Sequence, residues 1–65
     1  MRVSELYKVL NETISIRIVD NDNGEIFMTG LPFFIPVGIM DCRVVSIELA
    51  PANSFYDIEI QISPR

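Results

Sequence analysis

Any chemistry in this sequence has to come from three groupings of side chains. Asp20-Asn21-Asp22-Asn23-Gly24-Glu25 puts three carboxylates and two amides into six residues, a composition found in cation-binding loops. Setting Gly24 at the invariant glycine of an EF-hand loop places Val19 at the first ligand position and Gly30 at the twelfth. Both terminal ligands would then be missing, and the flanks read as strands. A hairpin turn is therefore expected, with a weak surface cation site as the lesser alternative. Asp41-Cys42-Arg43 holds the single thiol between a guanidinium that favours the thiolate and an acid that opposes it. The sequence contains no histidine, so a Cys–His pair cannot form and a structural cysteine is expected. Asp57 and Glu59 would share one strand face, and paired carboxylates do acid–base work when an apolar pocket keeps one of them protonated. Here they alternate with isoleucines on what reads as the solvated face, which suits solubility. No catalytic, metal or cofactor residue is expected, and the chain reads as non-enzymatic.

The composition narrows the classes further. Sixty-five residues allow one domain, residues 1–65. Nine acids against five bases give a net charge of −4. The bases Arg2, Lys8, Arg17, Arg43 and Arg65 form no run, so nucleic-acid binding through phosphate neutralisation is not expected. An acidic mimic of nucleic acid is a third-ranked alternative. Charges occupy the opening residues where a secretory signal has its apolar stretch, and one cysteine suits a reducing compartment, so a cytoplasmic location is expected. Burying about 3,900 Å² of apolar surface favours folding by roughly 100 kcal/mol, and ordering the chain opposes it by a similar amount. With neither a disulfide nor zinc to help, association between chains is the common remedy.

The positioning elements follow from periodicity. Val3 to Asn11 reads as a short amphipathic helix with Val3, Leu6, Tyr7 and Leu10 on one face, Ser4 as N-cap and Asn11 as stop. Thr13 to Val19 alternates, with Ile14, Ile16 and Ile18 inward. Asn23-Gly24 signals a hairpin returning through Glu25 to Thr29. A third strand covers Arg43 to Leu49. A fourth covers Phe55 to Ser63, with Tyr56, Ile58, Ile60 and Ile62 on one face. The expected fold is α+β: a short N-terminal helix packed on a four-stranded, mainly antiparallel sheet made of two hairpins and covered on one side.

Leu31-Pro32-Phe33-Phe34-Ile35-Pro36-Val37-Gly38-Ile39-Met40 departs from this patterning: it is uncharged and broken by prolines and glycine. It is too short and interrupted to span a bilayer, and no basic residues flank it for membrane-surface contact. A helical turn can begin at Pro36. The segment is either a crossover that drops Phe33 or Phe34, Ile35 and Ile39 into the core, or a surface that stays exposed to meet another chain. The interface residues expected on the second reading are Phe33, Phe34, Ile35, Val37 and Ile39.

Val3-Ser4-Glu5-Leu6, the Asp20 to Glu25 turn and Val44 to Ile47 after a proline-bearing connection together resemble short proteins of phages, prophages and mobile elements of low-GC Gram-positive bacteria. The resemblance implies a cytosolic accessory protein and transfers no site residue. The expected function is a non-enzymatic interaction module that self-associates, a dimer first, through residues 31–40. The alternative is an inhibitor or adaptor binding a host protein through the same patch.

Overall fold

Residues 1–64 are described by a computed structural model; Arg65, one of the five cations, lies outside them. The helix α1 spans Val3–Tyr7 and starts earlier than a Ser4 cap would allow, because Arg2 is the N-cap. Glu5 Oε1 accepts the Arg2 N–H at 2.8 Å, but an arginine side chain has no acceptor to complete the capping box. The Val3 and Ser4 N–H groups donate instead to the Cys42 and Met40 carbonyls, each at 2.9 Å. Long-range partners thus satisfy donors that a helix start leaves unpaired. The helix also ends before Asn11, whose Oδ1 accepts the Thr13 N–H at 2.9 Å and its hydroxyl at 2.7 Å. That turn redirects the chain into the sheet.

The strands β1 (Ile16–Asp20), β2 (Ile26–Gly30), β3 (Arg43–Leu49) and β4 (Ile58–Ser63) form one sheet in the order β2-β1-β4-β3. β1–β2 and β3–β4 are antiparallel hairpins, and β1 and β4 join them in parallel at the centre. The fold is therefore α+β, with a mainly antiparallel sheet and one parallel seam. β1 and β4 both begin three residues later than their alternation predicts, for one reason. Ser15 and Asp57 brace each other: the Asp57 N–H donates to the Ser15 carbonyl at 2.8 Å, and Asp57 Oδ2 accepts the Ser15 N–H at 2.9 Å. A side-chain acceptor there takes the place of a ladder carbonyl.

Residues paired across strands share a face. Ile16, Ile58 and Leu49 form one row on the helix side, Met28, Ile18, Ile60 and Ile47 the next, and Asp20, Ile62 and Val44 the third. Ile16, Ile18, Ile60 and Ile62 are fully buried beneath Val3, Leu6 and Ile35. A bulge between Ile18 and Val19 leaves Phe27 unpaired, and both Phe27 and Met28 pack on the core. Residues 31–42 cross this face from the β2 edge to the start of β3, through 3-10 turns at Pro32–Phe34 and Val37–Ile39. The second turn follows Pro36, where the sequence places one.

The opposite face is less open than expected. Val19 and Tyr56 are buried, yet neither belongs to the main core cluster. Tyr56 was expected beside the isoleucines; it precedes β4 and lies under Arg17, whose guanidinium carbon sits 4.4 Å from the Tyr56 ring centre and 5.3 Å from that of Phe55. Arg17 Nε also donates to Thr29 Oγ1 at 3.0 Å. A planar guanidinium can stack and donate together, which an ammonium cannot. Arg17→Lys should therefore cost about 1 kcal/mol in urea unfolding despite conserving charge. An unchanged midpoint would show that the stack contributes nothing.

Candidate interaction surface

The geometry of residues 31–40 follows from the short period of its turns. In a 3-10 turn, positions three apart eclipse. Pro32 and Ile35 therefore point the same way, and both are buried, Ile35 at 6% exposure within the core cluster. Phe33 and Phe34, between them, must face out, and they are 79% and 65% exposed. Their rings meet edge to face, 5.6 Å between centroids at 80°. Val37, after the second proline, is 87% exposed. Ile39 is half-buried and packs against the core.

The two readings of the segment thus divide between its residues. Ile35 is core, and Ile39 leans on the core, so neither lies on the exposed patch expected for them; the eclipsed turn geometry turns Ile35 inward. Phe33, Phe34 and Val37 remain on the surface. Phe33 and Phe34 also form one wall of a groove of about 600 Å³ whose other wall is Tyr7, Lys8, Leu10 and Glu12 at the end of α1. Sequence periodicity assigned Tyr7 to the buried helix face. The early helix end leaves it part-exposed, so the groove wall was missed.

The other groupings make local hydrogen bonds and core contacts. The Asp20 side chain accepts the Asp22 N–H at 2.7 Å and Asn23 Oδ1 accepts the Glu25 N–H at 2.8 Å, while Gly24 takes φ 77° to close the hairpin. Among the described residues, no group of three or more acids or thiols converges to hold a metal. Cys42 is half-buried against the core. Asp57 braces Ser15, and Glu59 Oε2 accepts from Gln61 Nε2 at 3.1 Å. A polar hollow between Arg2, Glu5, Arg43 and Ser63 lies beside the N-terminal segment.

The class these features define is a small α+β domain with an aromatic-walled groove between a short helix and an apolar crossing. No family model, characterised protein or solved structure matches the chain. No described helix is long and apolar enough to cross a membrane.

Proposed function

We propose that this chain is a non-enzymatic interaction module that self-associates as a two-fold dimer through Phe33, Phe34 and Val37. The observation carrying this reading is the pair of adjacent phenylalanines held outward, at 79% and 65% exposure, beside an apolar groove. A second copy suits the site because its charges are self-complementary. Lys8 and Glu12 lie on one wall of the groove with opposite charges, so a second copy brings both signs to the contact. Tyr7, Leu31, Phe33 and Phe34 of the groove, with Val37 beyond it, expose about 550 Å² per protomer, against about 800 Å² in a standard stable interface. An interface of that size falls in the class of weak, transient contacts. The likeness to short mobile-element proteins supports an accessory role in the cytosol.

Sedimentation equilibrium tests the reading. At tens of micromolar the mass should approach twice the 7.4 kDa of one chain and fall on dilution. A single species at the monomer mass across that range would remove the homodimer. The same patch would then belong to a foreign protein, as an inhibitor or adaptor would use it.

A further inference from the structure

The edge of the sheet farthest from the Phe33–Phe34 groove is β3, because β2, which leads into that groove, is the other edge. The direction of its backbone groups can be worked out. The Ile58 N–H donates to Ser15 and the Ile62 carbonyl accepts from Asn21, so alternate residues of β4 turn toward β1. Glu59 and Gln61 therefore turn toward β3, where they pair with Glu48 and Ser46. Ile47 and Leu49 are left with N–H and C=O directed out from the sheet.

Proteins guard such edges with bulges or a covering segment. Both devices are present here, but only on the first half of β3. The N-terminal residues cover it, with the Val44 N–H donating to the Met1 carbonyl at 2.8 Å and Arg2 bridging Arg43. Val45 is the bulge residue. Beyond it, no described segment covers the edge, and the side chains on the helix side there are apolar: Ile47 is about half exposed and Leu49 is 86% exposed. On the other face, one row runs Thr29, Arg17, Glu59, Glu48 across the four strands. Glu59 and Glu48 are directly opposite each other, a like-charge pair that destabilises a sheet. The single cation of the row, Arg17, stands beside Glu59, and the row then ends in a second acid at the open edge.

The geometry points to the Ser46–Leu49 edge as a docking site for a foreign extended segment that adds a fifth strand. That segment carries apolar residues at alternate positions, over Ile47 and Leu49, and a Lys or Arg between them, beside Glu48. Main-chain bonds to Ile47 and Leu49 supply register, and the cation completes the row that Glu59 and Glu48 leave unbalanced. A second copy of β3 fits less well, since it would bring two more glutamates to the same face. This surface is separate from the proposed dimer contact and does not depend on it.

The probe is an octapeptide of alternating lysine and valine, titrated into the isotope-labelled chain and into its Phe34→Asp variant. Amide exchange at Ile47 and Leu49 should slow at least tenfold at saturation. A block isomer with four lysines followed by four valines has the same charge and should bind at least tenfold more weakly. Glu48→Lys should reverse the preference toward an alternating glutamate–valine peptide. Leu49→Pro, which removes an outward N–H and leaves the β3–β4 ladder intact, should weaken binding as well. Equal binding of the block isomer, protection mapping elsewhere, or a Glu48→Lys variant with unchanged preference would each overturn the proposal. So would protection at Ile47 and Leu49 that is present without peptide and grows with protein concentration, since that assigns the edge to a second copy.

Discussion

Ile18→Ala should lower the urea midpoint of the chain by about half, whereas Ile47→Ala should be nearly silent. The two isoleucines stand in the same row on the same face, separated only by Ile60. Ile18 is fully enclosed by the core cluster, and removing its outer carbons opens a cavity that rigid neighbours on adjacent strands cannot fill. Isoleucine-to-alanine changes in such places cost about 2–5 kcal/mol. A 65-residue domain has a total stability of roughly 3–10 kcal/mol, so one substitution removes about half of it. Ile47 is about half exposed at the edge, and its truncation should cost under about 1 kcal/mol. Urea unfolding followed by far-ultraviolet circular dichroism distinguishes them. Equal midpoints for the two variants would mean that burial in this core is not what holds the sheet.

That contrast also marks what the sequence could and could not reveal. Alternation identified all four strands, and the inward isoleucines Ile16, Ile18, Ile58, Ile60 and Ile62 are where a period of two places them. Period two is the same for parallel and antiparallel partners, so the central β1–β4 seam was not readable. The bulge at Val45 was equally hidden, because Val44-Val45 reads as unbroken strand and only the pairing with Ile62 and Gln61 exposes the extra residue. The opposite face was misjudged because Arg17 looked like a solvent residue, although its guanidinium covers Tyr56. In residues 31–40 the signal was present at a different period: Pro32 and Ile35 are three apart, and a proline-initiated turn buries both. Composition alone treated the segment as one patch.

The sharpest consequence of that three-residue period is a pair of neighbouring substitutions with opposite outcomes. Phe34→Asp should dissociate the proposed dimer without unfolding the monomer, and Ile35→Asp should unfold the chain. Phe34 is 65% exposed and lies outside the core cluster, so an aspartate there remains hydrated and surface changes of this kind shift stability by about 0.5 kcal/mol or less. In a two-fold contact each substitution acts twice, once from each protomer. Loss of an aromatic anchor worth about 2 kcal/mol on each side amounts to about 4 kcal/mol, close to a thousandfold in the dissociation constant. A micromolar dimer would become millimolar, and sedimentation equilibrium should return the monomer mass throughout. Ile35, one residue on, is enclosed by the core, where an ionised carboxylate without a partner costs several kcal/mol. If Phe34→Asp sediments as the wild type does while its urea midpoint is unchanged, the contact lies elsewhere on the surface. If it also unfolds, the ring supports the crossing rather than a partner.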